Sequence, residues 1–170
     1  MDLGFEVTDL PASDHPAPGD VAPDFTRPLV GPEFWEDASL SAVVAEGPTL
    51  LVFHPMDGAF PTTYIWNAVD DHGFADDVHL VGVSASSPYE HKDLLEERAA
   101  GARLFSDPDA GVAAAYGVEN ELDGMAGVTE HRPAVFLLDS DRTVQYAWVA
   151  DEWPAFPDYE EIADAIDEHA

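Results

Sequence analysis

Short, unbroken apolar runs alternate along this chain with segments whose apolar residues recur at helical spacing. Runs of this kind are typical of strands that a sheet buries on both faces. They predict strands at Thr49–Phe53, Val78–Ser84, Ala134–Asp139 and Thr143–Val149. The turn residues between the last two runs favour a hairpin, so these two strands should be antiparallel neighbours.

Capping residues and apolar residues four positions apart predict the helices. Ile65 and Val69 mark one apolar stripe, and Ser87 with Glu90 three residues later forms a capping box. The predicted helices are 61–72, 87–100, a short one within 106–118 that ends at Gly117, and a last one that Asp158 caps.

The order of these elements predicts an α/β fold with a mixed central sheet and helices on both faces. Strand–helix–strand crossovers make parallel pairs, and the later hairpin makes an antiparallel one. The length of 170 residues fits one domain. Prolines and small polar residues without an apolar period fill positions 1–18. We therefore expect a flexible N-terminal tail there, followed by a single domain at 19–170.

Acidic residues dominate the charge, with 35 Asp and Glu against six Lys and Arg and a formal net charge of −29. Such a field repels phosphate backbones and anionic lipid, so we expect no nucleic-acid and no membrane partner. Because 46% of the residues are hydrophobic, the chain should still fold around a core, with its carboxylates screened by concentrated salt. The composition predicts a halophilic source. The lack of a signal-like start or an apolar span predicts a cytoplasmic protein.

Few residues offer recognisable catalytic chemistry. The sequence contains no cysteine, and its seven histidines never take the spacing of a metal motif, so we expect no metal and no cofactor. We expect His54 to be packed and hydrogen-bonded, although His54 and Asp57 together could also form a general acid–base pair. Ser84, Ser86 and Ser87 are expected to serve in turns and caps.

Five ordered blocks of sequence resemble the peroxiredoxins, the alkyl hydroperoxide reductase and thiol-specific antioxidant family. The blocks are GDVAPDFT from Gly19, LLVFHPMD from Leu50, LVGVSASSPYEH from Leu80, LFSDPDAGVAAAYGV from Leu104 and AVFLLDSDRTVQYAWV from Ala134. The resemblance implies a thioredoxin-like three-layer fold with a mixed central β-sheet flanked by helices. It also implies the family's antioxidant activity, in which a cysteine thiolate reduces a peroxide, and its tendency to dimerise.

The resemblance also locates the family's reactive site in this chain. Family members carry Pro-x-x-x-Thr/Ser-x-x-Cys. Counted from Pro55, this motif places Ala59 at the hydroxyl position and Thr62 at the cysteine position, and a one-residue slip in the turn would place Thr63 there. The family's arginine falls one residue after Arg132. In a strand, a shift of one residue points a side chain to the opposite face.

Threonine cannot replace that cysteine. A thiolate forms near neutral pH and stores oxygen as a sulfenic acid, whereas a hydroxyl stays protonated and has no such redox state. We expect Thr62 instead to accept a hydrogen bond from a backbone N–H at the helix start. The helix amides that remain could still bind a small anion.

The sequence therefore predicts a degenerate, non-catalytic peroxiredoxin-like protein. Its expected role is that of a binding or assembly module, as a homodimer or with an active peroxiredoxin or thioredoxin-like relative. The alternative is an enzyme that reuses the cleft for acid–base or hydrolytic chemistry. Such an enzyme would use His54, Asp57 and the Thr62 and Thr63 hydroxyls.

Overall fold

A computed structural model of the protein describes residues 7–99, 101–121 and 125–170. The strands are β1 (Thr8–Asp9), β2 (Thr26–Val30), β3 (Trp35–Ser39), β4 (Thr49–Phe53), β5 (His79–Ser84), β6 (Ala102–Ser106), β7 (Glu119–Asn120), β8 (Glu130–His131), β9 (Ala134–Leu138), β10 (Val144–Val149) and β11 (Glu152–Trp153). The helices are α1 (Leu40–Val44), α2 (Phe60–Asp71), α3 (Pro88–Glu97), α4 (Gly111–Tyr116) and α5 (Tyr159–His169), with one 3-10 turn at Phe74–Asp76.

The main sheet has seven strands in the order β10-β9-β4-β5-β6-β2-β3. Strands β4, β5 and β6 are parallel to one another, and the remaining neighbours are antiparallel. Phe53 lies opposite Val83, and Ser84 lies opposite Ser106. The carboxyl ends of the three parallel strands therefore meet at one edge of the sheet.

Two apolar clusters cover the two faces of this sheet. Successive side chains of a strand point to opposite faces, so Leu51 and Phe53 join one cluster while Leu50 and Val52 join the other. Helices α1 and α4 pack on the first face, and α2, α3 and α5 pack on the second. This arrangement confirms the predicted α/β fold, with a mixed sheet between two helical layers.

The elements that the sequence analysis missed lie mostly at the far side of the sheet. The edge strand β3 reads WEDAS and is largely exposed or half-buried, so it lacks an apolar run. Strand β2 carries an arginine and a proline, which also interrupt the apolar pattern that would predict a strand. The predicted helix 87–100 ends at Glu97 in the structure, and Ala100 lies outside the described residues.

The described part of the N-terminal segment, 7–18, contacts the domain at several points. Thr8 pairs with Trp153 in a short antiparallel ladder, and the Ser13 hydroxyl donates to the Gly117 carbonyl at 2.7 Å. Residues 1–6 lie outside the described residues, and the mobility expected for 1–18 stays a prediction. Within the part of the chain that the structure describes, no helix is long and apolar enough to cross a bilayer.

Candidate functional site

The candidate site lies where the three parallel strands end. The segments that follow them are 54–57 after β4, 85–87 after β5 and the turn at Asp107 after β6. In open α/β sheets, ligands bind outside the carboxyl ends of the strands, which makes this edge the first place to look for function. Helix α2 starts there too, with Ala59 at its N-cap and Pro61 in its first turn.

Thr62, the residue that the motif count from Pro55 aligns with a cysteine, is fully buried. Its Oγ1 lies 3.1 Å from the Pro55 carbonyl oxygen and 3.0 Å from that of Met56, and its single proton is shared between them. The expectation that Thr62 accepts from a backbone N–H was wrong. Helical side chains tilt toward the N-terminus, and here the tilt brings the hydroxyl onto carbonyls of the preceding turn.

The other motif positions provide backbone contacts. Pro55 contributes its carbonyl oxygen, and the N–H of Ala59 donates to the Met56 carbonyl at 2.9 Å. The N–H of Thr63 donates to the Ala59 carbonyl at 3.4 Å, and its side chain is half-buried. None of these contacts presents a reactive group to solvent.

Asp57 is buried beside two histidines. His91 Nδ1 donates to its Oδ2 at 2.6 Å, and the Ser84 hydroxyl donates to its Oδ1 at 3.2 Å. His91 Nε2 lies 2.9 Å from the Phe105 carbonyl oxygen, so both ring nitrogens face acceptors. When Asp57 is ionised, these two hydrogen bonds require two protons on the His91 ring. Asp57 lies closer to His91 than to His54, because His54 Nδ1 stands 3.8 Å from Asp57 Oδ1.

His54 is fully buried, as expected for a packed histidine. Its Nδ1 donates to the Pro55 carbonyl at 2.8 Å, while Nε2 has no hydrogen-bond partner among the described residues. The ring meets Trp66 edge-on, with centroids 5.8 Å apart. Burial lowers the pKa of His54 to about 4, helped by His91 and opposed by Asp57. His54 is consequently neutral at neutral pH, with its proton on Nδ1.

A second Asp–His pair lies at the end of β6. Oδ2 of Asp107 accepts from His131 Nε2 at 2.7 Å and from the N–H groups of Val112 and Ala113 at 3.0 and 3.2 Å. Oδ1 of Asp107 accepts from Arg27 Nε at 3.1 Å. Burial alone would raise the pKa of Asp107, but the bond and charge of His131 and the two amides outweigh it and lower that pKa to about 2. The Asp107 carboxylate is thus ionised and saturated, meaning that both of its oxygens accept hydrogen bonds from four donors in all, and it holds the start of α4.

Arg132 bonds to three residues outside the segment 54–63. Its guanidinium donates to Asn120 Oδ1 and to the carbonyls of Pro11 and Ala150, the latter two at 3.0 and 3.1 Å. The side chain is almost fully buried, and burial lowers its pKa. Through the Pro11 carbonyl it fastens the N-terminal segment to the domain.

The arrangement offers little for chemistry on an external substrate. The side chains of Thr62, His54 and Asp57 are at most 9% exposed. A groove of about 410 Å³ lies elsewhere, between the β2–β3 turn and α1, and contains none of these residues. Within the described residues, no group of three or more His, Cys, Asp or Glu is placed to hold a metal ion.

Sequence reasoning missed three residues of the buried polar cluster around Asp57 and His131, namely His91, Ser106 and Asp107. A detectable signal existed for two of them: Ser106 is the last residue of strand β6 and Asp107 directly follows it, so both belong to the same edge as Asp57. His91 shares its helix face with the buried Leu94 and Leu95, which marks it as an inward polar residue. Of the three serines, Ser87 forms the predicted capping box, whereas Ser84 and Ser86 bond inside the cluster.

Comparison with known proteins supports the same fold. The profile of the AhpC/TSA family matches residues 18–147. The solved structure of peroxidoxin BcpB from Mycobacterium tuberculosis is 25% identical, with a TM-score of 0.71 over 90% of this chain and 96% of that one. The reduced 2-Cys peroxiredoxin of Plasmodium vivax is 24% identical, with a TM-score of 0.71 over 88% and 94% of the two chains.

A third structure, AhpC from Enterococcus faecalis, shares the fold at 16% identity, with a TM-score of 0.72 over 90% of this chain and 92% of that one. No curated protein matches the chain significantly. The family profile nevertheless spans most of the sequence, and the mixed sheet with its helical layers is the fold of the peroxiredoxin structures. The chain belongs to the AhpC/TSA family, the peroxiredoxins.

Proposed function

We propose that this protein is a non-catalytic peroxiredoxin that serves as a binding or assembly module. The observation that carries the proposal is the state of Thr62, the residue that we align with the family's cysteine. Its hydroxyl is buried and bonded to the Pro55 and Met56 carbonyls. A hydroxyl so placed can neither ionise near neutral pH nor store an oxygen atom as a sulfenic acid does. Arg132 supports the proposal, because its charge is directed to Asn120.

The alternative, an enzyme that uses His54 and Asp57, has one supporting observation: the two side chains lie 3.8 Å apart. Against it, the Nδ1 proton of His54 is bound to Pro55, and its Nε2 is buried against Trp66. A general base must reach the proton that it removes, and neither nitrogen reaches solvent. The binding role is therefore the better supported of the two.

The outer edge of β10 is the surface that favours assembly. Beyond Val144, no described strand pairs with this edge, and the strand reads VQYAWV without a charged residue. Monomeric proteins usually protect edge strands with charges, and a protein with a net charge of −29 has many available. We infer that β10 of one copy pairs with β10 of a second copy, which would make a homodimer with a continuous sheet.

Sedimentation velocity in molar KCl tests this assembly. Ala147→Lys places a charge on the edge strand β10, and we expect it to shift the dimer to monomer. The matched control is Ala38→Lys, which changes a similarly half-buried alanine on the opposite edge strand β3 and should leave the dimer intact. Wild-type protein that remains monomeric at high concentration would contradict the homodimer.

An active relative is the other candidate partner. Affinity capture from the native cell extract in molar salt should retrieve a cysteine-bearing peroxiredoxin or thioredoxin-like protein if the module assembles with one. Retrieval of this chain alone would favour the homodimer. The net charge of −29 makes nucleic acid and anionic membranes poor partners in either case.

The same charge supports the proposal of a halophilic source and a salt-dependent fold. Self-repulsion among 35 carboxylates weakens the compact state, and molar salt screens charges beyond about 3 Å. The melting temperature should rise steadily from low salt to 2 M KCl. A melting temperature that stays flat across this range would contradict the salt adaptation.

A further inference from the structure

His54 has one satisfied and one unsatisfied ring nitrogen. Nδ1 donates to the Pro55 carbonyl, whereas Nε2 is buried without a hydrogen-bond partner among the described residues. Gly82 lies directly against that nitrogen, since a Cβ at Gly82 would stand 3.2 Å from Nε2 and 2.8 Å from a ring carbon of Trp66. A proton added to Nε2 would therefore point at tightly packed apolar groups that cannot accept it.

We propose that His54 is an acid-sensitive latch: binding of a second proton at Nε2 opens the segment 54–63, including the start of α2, while the central sheet stays folded. The inference does not depend on the proposed binding role.

The ionisable groups that face the His54 ring come from three elements. Asp57 lies in the same turn, His91 lies on α3 with its ring centroid 6.2 Å away, and His131 lies on β8. Asp57 favours the charged ring and the two histidines oppose it. The packing partners from α2 and β5, Trp66 and Gly82, carry no charge. Asp57 faces the Nδ1 side, which already carries a proton, so it cannot accept the proton on Nε2.

The segment 54–63 is held differently from the strand that precedes it. Strand β4 is bonded along both edges, to β5 and to β9. Beyond it, side chains carry much of the bonding: the N–H of Met56 donates to Glu130, the N–H of Asp57 donates to the Ser86 hydroxyl, and Thr62 donates to carbonyls of the turn. Segments without a ladder open locally at lower cost than central strands. Charging His54 should therefore release this segment before the sheet.

Hydrogen–deuterium exchange in molar KCl measures the opening directly. With a pKa of about 4 when buried and about 6.5 when open, His54 should raise the opening equilibrium on the order of 30-fold between pH 7.5 and pH 5. After correction for intrinsic exchange rates, amides of 56–63 should lose protection by about that factor. Amides of β5 and β9 should change far less.

His54→Asn separates the latch from a general acid effect. The shorter amide can still donate near the Nδ1 position but takes no proton, so protection of 56–63 should no longer depend on pH in this range. The control His79→Asn removes an exposed histidine at the start of β5 and should behave as wild type. Persistence of the pH effect in His54→Asn, or joint loss of protection across the sheet, would overturn the latch.

A spectroscopic measurement on the wild-type protein covers the case in which His54→Asn fails to fold. Long-range proton–nitrogen correlation spectra assign the tautomer and charge of each imidazole. His54 should be neutral with its proton on Nδ1 down to about pH 5. A charged His54 ring in the folded protein at pH 6, or a proton on Nε2, would contradict the proposal.

Discussion

Two aspartates follow parallel strands of the same sheet, yet their surroundings differ. Asp107 accepts from a histidine, two backbone amides and an arginine, and so its carboxylate is saturated. Asp57 accepts from His91 and Ser84 only, among the described residues. Each centre also has a histidine with one buried nitrogen that finds no partner in the described part of the chain, Nε2 of His54 and Nδ1 of His131. The first centre caps α4 and ties it to β2 and β8, and the second stands at the start of α2.

The difference teaches that hydrogen bonding is uneven along this edge of the sheet, with four donors to Asp107 and two to Asp57. The saturated centre holds the start of α4. The less saturated centre shares its turn with the Pro55 and Met56 carbonyls, to which the Thr62 hydroxyl donates. The turn before α2 is therefore stabilised in part by Thr62 and in part by Asp57.

Substitution of the two aspartates tests this comparison with the largest expected effect. Asp107→Asn leaves His131 and Arg27 facing an amide and should lower the free energy of unfolding by about 3–5 kcal/mol, the usual loss for a broken buried ion pair. Asp57→Asn should cost about 2 kcal/mol, because fewer groups donate to Asp57. Urea unfolding in molar KCl measures both.

Asp109→Asn is the control for these substitutions. Asp109 also approaches Arg27, at 3.6 Å, but its side chain is 78% exposed. Exposed pairs contribute little, so this change should stay within about 0.5 kcal/mol. A smaller loss for Asp107→Asn than for Asp57→Asn would reverse the proposed ranking of the two centres.

The pH dependence of stability should show two separate steps. Burial lowers the pKa of His54 from 6.5 to about 4, so the unfolded chain binds a proton that the native protein does not. The free energy of unfolding should therefore fall as the pH drops from about 6.5 to 4, by up to about 3 kcal/mol. The pKa of Asp107 is lowered from 3.8 to about 2, so its contribution is present above pH 3.8 and is lost as the pH falls toward 2.

Urea midpoints measured from pH 8 to pH 2 separate the two steps. His54→Asn should remove the upper step and keep the lower one, and Asp107→Asn should do the reverse. A single loss of stability at low pH that both variants leave unchanged would show that neither side chain controls the acid sensitivity.

The smallest effect is expected at Thr62. Thr62→Val keeps the shape of the side chain and removes its hydroxyl, which should cost about 1 kcal/mol. The loss is small because His54 Nδ1 still donates to the Pro55 carbonyl and the Ala59 N–H still donates to that of Met56. Thr63→Val, at a half-buried neighbour, should lower the melting temperature less than Thr62→Val does. Equal losses at both positions would contradict the structural role of Thr62.

The sequence predicted β4, β5, β9 and β10 because these strands are strongly apolar. It missed β6, which reads ARLFS and also lies inside the sheet. Strand 49–53 was predicted residue for residue, and the capping box at Ser87 marked α3. The edge strand β3 escaped because it is polar and pairs on one side only. An edge strand of this kind forms because it pairs with a strand from elsewhere in the chain, and a local sequence pattern does not reveal that pairing.

The candidate site could be located from sequence but not described. The motif pointed to Thr62 or Thr63, yet the direction of the Thr62 hydroxyl depends on how the turn at 54–57 lies against the start of α2. The sequence could not reveal His91 as a partner of Asp57, because His91 is 34 residues away in the chain and only the fold brings it to 2.6 Å. Contacts between distant residues of this kind have no signature in a single sequence.

The most direct test of the central claim is hydrogen peroxide turnover by purified, metal-free protein with a thiol donor in molar salt, measured beside Thr62→Ala. Since the chain has no cysteine to form a sulfenic acid, wild type and variant should both match the blank without protein. Turnover by the wild type that exceeds the blank and disappears in Thr62→Ala would contradict the assignment of Thr62 as a structural residue.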